Sequence, residues 1–470
     1  MAAQSPRHPA LADASPTSYW LDRPDRPKAE HPLESDEETE LVVVGAGFAG
    51  LWTALLAREA DPQRDVVLIE AGAVADGASG RNMGALDDSL TDGAANGQKH
   101  LPHEFAILEE LGRENCDALL ATLDRSGIDA AFEPTGILFV LRDPDAADRI
   151  KQGWERSGQS GGYLDRDAIR AEIHSDSFWG SLTLTTGRGV LDPARLAWGL
   201  RDAAVRLGVR IYEGTPMTGL SVQGAGVEIQ TPRGRIRAQR AVLATNGFRS
   251  PVRGLRRSVV PMWGFVLMTE PLASDQLESI GWAGRQGLGV SDEEGGSDYK
   301  YLRLTKDNRI LVGGYHAYRF ASGTRAEQGE RPELHDGLAR IFFRIFPQLE
   351  GLRFTHRWSG IMGFTTTGLV SFGTTLEGRA AWACGYTGSG LGRTRFGARA
   401  ALALVGMGEP GLLELDLVRK LPRSWPPEPV RWLGIHATQL AMDSAARRGG
   451  RPGPWLRVLE RLGIGVQQFG

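Results

Sequence analysis

The first 39 residues show no hydrophobic period. They are rich in Pro, Asp, Glu and Ser and end in the acidic run Glu34 to Glu40, so they read as a solvated arm that Tyr19, Trp20 and Leu21 pin in part to the body. The pattern then becomes regular. A β-branched run at 41–44 meets a glycine-rich turn, then the apolar helical stretch FAGLWTALLAREA, then the strand DVVLIE. Helical spacing dominates 98–125 and 145–173, and ARLAWGLRDAAVRLG at 194–208 is an amphipathic helix entered through Asp192-Pro193. VRIYEG and AVLATNG return to strand. From 256 to 320 the texture alternates, with VVPMWGFVLMTE, YKYLRL and RILVGGY as strands, the last two joined at Lys306-Asp307-Asn308-Arg309. A helix is expected over 334–347, and RAAWACGYTGSGL is a strand, a glycine turn and the start of a helix reaching about Gly406. No internal repeat is present. Because βαβ texture brackets two helical or antiparallel insertions, two interleaved domains fit better than two sequential ones.

Composition narrows the class. The 470 residues are 41% hydrophobic and 24% charged, ordinary values for a globular protein, and long enough for more than one core. Net charge is −3, which gives nucleic-acid binding no electrostatic support. No apolar run reaches the roughly 18 residues a membrane span needs, and MAAQSPRHPALADASP has no apolar region of a secretory signal. Cys116 and Cys384 form no C-x-x-C or zinc pattern, so no metal site is expected and a reduced, cytoplasmic setting is the default.

The candidate chemistry starts at Gly45, Gly47 and Gly50, a G-x-G-x-x-G turn between a strand and a helix. The first glycine permits the turn, the second lets backbone approach a pyrophosphate, and the third lets helix and strand pack closely. Free N–H groups at the helix start suit phosphates. Glu70 ends the next strand, where a carboxylate accepts ribose hydroxyls and repels a 2′-phosphate. This establishes a dinucleotide. Two further segments favour FAD over NAD. Gly77-Ala78-Ser79-Gly80-Arg81-Asn82-Met83-Gly84 offers donors along a long phosphorylated ligand, and Gly385-Tyr386-Thr387-Gly388-Ser389-Gly390-Leu391-Gly392 opens a helix whose dipole suits the charge that builds on reduced flavin.

With VVVGAGFAGL at 42–51, GASGRNMG at 77–84, LDPARL at 191–196, EGTPMTGL at 213–220, ATNGF at 244–248, YLRLTKDNRILVGG at 301–314, HRWSG at 356–360 and GYTGSGLGRTRFGAR at 385–399, the chain resembles the D-amino-acid-oxidase-like superfamily of FAD-dependent oxidoreductases. Within it, the chain looks most like the GASGRN-type amine oxidases, similar to γ-glutamylputrescine oxidase. The resemblance covers roughly 40–435 and implies an α/β (α+β) fold: a Rossmann-type FAD-binding domain from 36–95, 185–255 and 358–410, interleaved with a mixed or antiparallel-sheet substrate domain from 96–184 and 256–357. Residues 1–35 form the arm and 411–470 a helical tail. It implies cofactor contacts from Gly45, Ala46, Gly47, Phe48, Ala49, Gly50, Glu70, Ala71, Ser79, Gly80, Arg81, Asn82, Met83, the backbone of Met217, Ala244, Thr245, Gly388, Ser389, Gly390 and Leu391. It further implies oxidation of a C–N bond of an amine or amino-acid-like substrate, by hydride transfer to flavin N5, to an imine that hydrolyses, with oxygen reoxidising the flavin.

Departures qualify the substrate. Met83 stands where relatives carry glycine, and Met362 stands where amino-acid oxidases carry the arginine that clamps a carboxylate. Thr367 stands where relatives often place Asp. No cysteine lies at the covalent attachment position, so FAD is expected to be held non-covalently. These altered positions keep two alternatives open: a tailoring enzyme of secondary metabolism acting on an amino group or heterocycle, and a degenerate FAD-binding interaction protein. Tyr299, Tyr301 and Arg303 share one strand face by period two and are candidates for orienting substrate. His316, after the Gly313-Gly314 pair, is a candidate hydrogen-bond partner. Trp358, Tyr386 and Met362 are candidate pocket walls, whereas Met262, Trp263 and Phe265 read as core. The tail, with a Pro-rich link (Pro422, Pro426, Pro427, Pro429) and with Arg447, Arg448, Arg451, Trp455 and Arg457, is expected to pack against the body or a second copy in a homo-oligomer more readily than on a membrane.

Overall fold

The structure, a computed structural model, describes residues 8–156, 162–184, 186–291, 300–446, 448, 451–462 and 464. Tyr299 and Arg447 lie outside the described residues.

Strand Glu37–Val44 is buried along its second half, as a central parallel strand must be. It pairs in parallel with Val66–Ile69 on one side and Arg235–Leu243 on the other. The sheet continues outward through Arg210–Tyr212 at one edge and through Ala380–Cys384 and Ser371–Thr375 at the other, and the hairpin Gly219–Gln223 and Gly226–Gln230 extends from Arg235–Leu243. Helices Phe48–Ala60, Pro193–Arg206 and Gly390–Leu404 cover one face, with Leu51, Trp52, Leu55, Leu196, Leu200 and Phe396 in one core. Asp192 caps the second of these, accepting the Ala194 and Arg195 N–H groups at 3.0 Å each, and Pro193 takes the first helical position.

A second sheet runs in the order Phe354–Phe364, Val260–Thr269, Ile310–Ala317, Lys300–Leu304, Gly287–Val290, Ile137–Leu141, Gly180–Thr183, Tyr163–Asp165. All its pairings are antiparallel except Gly287–Val290 with Ile137–Leu141. Helix Pro332–Ile345 packs on it, with Phe342 and Phe343 against Phe354 and His335 against Phe265. The expected boundary at 358 falls inside strand Phe354–Phe364, which pairs along its length with Val260–Thr269 in this second sheet. The short pair Ala85–Asp87 and Gly187–Val190 joins the two bodies. Among the described residues, no helix is long and apolar enough to cross a membrane.

Within residues 8–35 the arm is pinned at Trp20 and Leu21, as expected, and more extensively than by those anchors alone. Leu11, Trp20 and Leu21 are buried in the two main cores. Ser18 Oγ donates to the Gly80 carbonyl at 2.7 Å and Trp20 Nε1 to the Asn82 carbonyl at 2.8 Å. Arg23 pairs with Asp192 at 2.5 Å. The arm therefore braces the 77–84 segment from outside. Its apolar residues are too sparse and irregular to carry a period, so the sequence shows polarity where the fold uses a few anchors.

Candidate cofactor and active site

Gly45 has φ +106°, a conformation that glycine adopts without strain. A Cβ on Gly50 would stand 1.7 Å from the Gly45 carbonyl oxygen, so the third glycine is demanded by backbone contact. A Cβ on Gly47 would stand 3.0 Å from Ser79 Oγ, which accepts the Phe48 N–H at 2.9 Å. The 77–84 segment thus already meets the helix start where a pyrophosphate belongs. Glu70 accepts the N–H groups of Ala46 at 2.7 Å and Gly72 at 2.9 Å. Burial pushes its carboxyl above the ordinary range, against those two bonds. Ala71 is exposed beside it, Met217 is half-buried on the neighbouring edge, and Ala46, Phe48 and Ala49 are buried.

The 77–84 turn holds itself together. Asn82 Nδ2 donates to the Ala78 and Ser79 carbonyls, and its Oδ1 accepts the Gly84 N–H at 2.8 Å. Arg81 donates through Nε to the Asp76 carbonyl at 2.7 Å and through a terminal nitrogen to the Ser359 carbonyl at 3.1 Å, and burial lowers its guanidinium below the usual range. Gly80 is buried against the arm, where a Cβ would meet Leu21 Cδ2 at 2.7 Å. The resemblance implies a cofactor contact for Met83. Its side chain instead reaches the second sheet, with Cε 3.3 Å from a Cβ placed on Gly287.

On the other side, Ala244 and Thr245 end strand Arg235–Leu243 half-buried, and Asn246 follows with φ +43°. Asn246 Oδ1 accepts the Gly385 N–H at 3.0 Å, tying this loop to the turn that opens helix Gly390–Leu404. Asn246 lies in the ATNGF segment, and its Asn-Gly pair is the sequence signal that marks a positive-φ turn. In that turn Gly388 is exposed, and Ser389 and Gly390 are partly so, leaving the first helical N–H groups toward the cleft. Leu391 is buried, and Ser389 Oγ donates to Asp92 at 2.8 Å.

The pocket-wall candidates separate. Met362 lies between the bodies: its Cε is 2.7 Å from a Cβ placed on Gly264 and its Sδ 3.7 Å from one placed on Gly388. Trp358 is 2% exposed and donates Nε1 to the Arg81 carbonyl at 3.0 Å, while its own carbonyl accepts from His335 Nε2 at 3.0 Å. Trp358 therefore braces the Arg81 backbone. Tyr386 points into helix Gly390–Leu404, its hydroxyl 2.3 Å from a Cβ placed on Gly397. Arg303, expected to orient substrate, is 2% exposed and donates to the carbonyls of Met83 and Leu191. Its Nη2 lies 3.9 Å from Glu133 and its Cζ 5.2 Å from the Trp20 ring. As placed, Arg303 and Tyr386 are packing groups. Tyr301 is half-buried with its ring over Gly313, and His316 is half-buried 5.6 Å from the Phe364 ring.

Beneath the glycine turn, Arg393 is almost fully buried, pairs with Asp92 at 2.5 Å and donates to the Ser89 carbonyl at 3.0 Å. Asp87 lies beside them, and desolvation, only partly offset by Arg393, raises its carboxyl to about 6. A raised folded value means that the folded chain binds this proton more tightly than the unfolded chain. Asp87 ionisation therefore lowers stability as pH rises from about 4 through 6. Asp87→Asn is expected to be more stable than the parent above pH 6, by on the order of 2 kcal/mol once partial exposure is discounted, and equal to it near pH 4. Urea unfolding at the two pH values checks this, and an equal gain at both would remove the electrostatic account.

The residues present fit a flavin dinucleotide in donor set: a bare-backbone turn, a carboxylate at the end of the next strand and a second glycine-opened helix start in the same sheet body. Comparisons with known proteins agree. Residues 40–403 match the family model described as DAO, FAD dependent oxidoreductase. The chain is similar to the gamma-glutamylputrescine oxidoreductase of Escherichia coli, 30% identical over 366 residues, covering 77% of this chain and 82% of that protein. It is similar to the probable oxidoreductase OrdL of Haemophilus influenzae, 27% identical over 393 residues, covering 81% and 86%. The glycine oxidase structure from Bacillus cereus shares the fold at TM-score 0.64 and 18% identity, covering 82% of this chain and 98% of that one. From the strand order, the two glycine turns and the length of these matches, the chain belongs to the DAO family of FAD-dependent oxidoreductases.

Proposed function

We propose that the protein oxidises the C–N bond of an amine or amino-acid-like substrate whose recognition does not use a carboxylate clamp on strand Phe354–Phe364. The observation that carries this reading is the position of Met362, an apolar side chain held between Gly264 and Gly388 at the junction of the two bodies. The bound flavin supplies a hydride acceptor at N5. The chain supplies the surroundings. A thioether wall raises the cost of a charged ammonium and favours the neutral amine, the form that can lose hydride. Trp358 and Arg81 fix the junction, and the half-buried Tyr301 and His316 are the polar groups proposed to orient the substrate. Oxygen is the proposed electron acceptor. The name of the Escherichia coli relative supports a substrate bearing an amine distant from an α-carboxylate.

The test is anaerobic bleaching of the flavin absorbance. Primary, secondary and γ-glutamyl amines are expected to reduce the flavin, and small α-amino acids to do so at least about tenfold more slowly, the size of one lost charge-assisted contact. Faster bleaching by glycine or alanine than by every amine would overturn the reading.

The flavin is expected to come away freely. Cys116 and Cys384 are buried, and burial pushes each thiol up to about 12, so neither offers a thiolate for attachment. Acid precipitation should leave yellow FAD in the supernatant; flavin retained in the pellet would contradict this.

A further inference from the structure

We propose that a cavity of about 400 Å³ beside the flavin-turn loop binds a small polyanion with an apolar body, carrying phosphate or carboxylate groups. It lies between loop 246–252, helix Arg253–Ser258, the start of strand Val260–Thr269, residues 321–322 and the tail helix at Arg431. Five arginines line it: Arg249, Arg253, Arg256, Arg257 and Arg431, with no carboxylate among the lining residues. The sequence shows the same bias. Between Glu228 and Glu270 the chain carries eight arginines and no Asp or Glu.

Several buried or half-buried arginines elsewhere are matched by carboxylates. Arg210 is held by Glu37 and Asp65, and Arg393 by Asp92. Arg249, Arg253, Arg256 and Arg257 form no side-chain hydrogen bond or ion pair with any described residue. Arg431 donates to Ser322 Oγ at 3.0 Å and to the Pro426 carbonyl at 2.9 Å. The tail carboxylate Glu428 is taken by the Tyr318 hydroxyl and the Trp432 N–H. Crowded like charges cost free energy, and each guanidinium keeps a fork of donors matched to phosphate or carboxylate. A ligand with two or more negative charges relieves both.

Size and lining define the rest of the ligand. The volume is that of a small-molecule site, roughly 300–1,000 Å³, and exceeds what one phosphate fills. Phe248 is 45% exposed at the rim, and Leu255, Val259 and Pro261 form an apolar floor. Its lining includes Asn246 and Gly247, in the loop tied to Gly385 and next in sequence to the expected cofactor residues Ala244 and Thr245.

Calorimetric titration of the FAD-loaded protein tests this, with ADP as the phosphate probe and benzene tricarboxylate as the carboxylate probe, flavin absorbance being followed to exclude displacement of FAD. One or both probes are expected to bind at one site per chain, and which of them binds names the anion. Arg253→Gln/Arg256→Gln is expected to weaken binding at least about tenfold, while its flavin spectrum and melting temperature stay those of the parent. Arg233→Gln/Arg235→Gln, outside the cavity, is expected to bind as the parent does. Failure of both probes to bind, or equal binding by the Arg253/Arg256 variant, would overturn the proposal.

Discussion

Gly50→Ala is expected to yield a colourless protein. The added methyl carbon would stand 1.7 Å from the Gly45 carbonyl oxygen and 3.4 Å from Ala244 Cβ. The first of these contacts is backbone, which no rotamer change relieves. Helix Phe48–Ala60 must then move away from strand Glu37–Val44, and the N–H groups at its start leave the position that the pyrophosphate needs. Forced separation of packed elements costs about 3 kcal/mol, at the upper end for overpacking. Flavin absorbance per chain after desalting, with urea unfolding, measures both effects. Gly47→Ala serves as the graded comparison: its methyl would meet only Ser79 Oγ at 3.0 Å, the end of a movable side chain, so flavin should be weakened without being lost. Full flavin retention by Gly50→Ala would mean that the turn is not the cofactor cradle.

Replacing Arg303 by Met is expected to act on stability and flavin retention, with little effect on substrate affinity. The guanidinium is buried, donates to the Met83 and Leu191 carbonyls and faces Glu133. Burial lowers it to about 10, which leaves it charged at neutral pH. Its loss strands two carbonyls and removes one of the two arginines beside Glu133, the other being Arg285 at 2.8 Å. About 3 kcal/mol is expected from such a break. Because Met83 closes the 77–84 segment, flavin should also dissociate faster. The distinguishing measurement is the KM of the remaining holoenzyme. A large rise in KM with an unchanged melting temperature would return Arg303 to the substrate-orienting role read from strand periodicity; a lowered melting temperature with unchanged KM fits its place in the fold.

These two residues show where sequence and fold divide. Gly50 could be assigned from the chain because its role is local: strand, turn and helix follow one another within 41–60, and the steric demand arises between residues five apart. Arg303 could not. Period two puts Tyr301 and Arg303 on one face but does not say what lies over that face, and the arm carrying Trp20 comes from nearly three hundred residues away in the chain. Tyr386 is a similar case. A glycine turn suggests a ring facing a ligand, yet Gly397 on the next helical turns offers a groove that takes the ring inward. The position of Met362 was readable by comparison of motifs, whereas its partners Gly264 and Gly388 come together only when strand Val260–Thr269 pairs with Phe354–Phe364 and the two bodies meet.

The sequence by itself determined the dinucleotide turn, its acidic partner Glu70, the second glycine turn and the interleaving of two textures, because each depends on spacing along the chain or on the conformational range of glycine. Only the tertiary structure decided that the polar arm is a brace, that Arg303 and Trp358 hold backbone in place, and that the arginines of 249–257 meet Arg431 around one cavity. Those outcomes depend on burial and on the distance between segments far apart in the chain, quantities that a pattern of hydrophobic and polar positions does not contain.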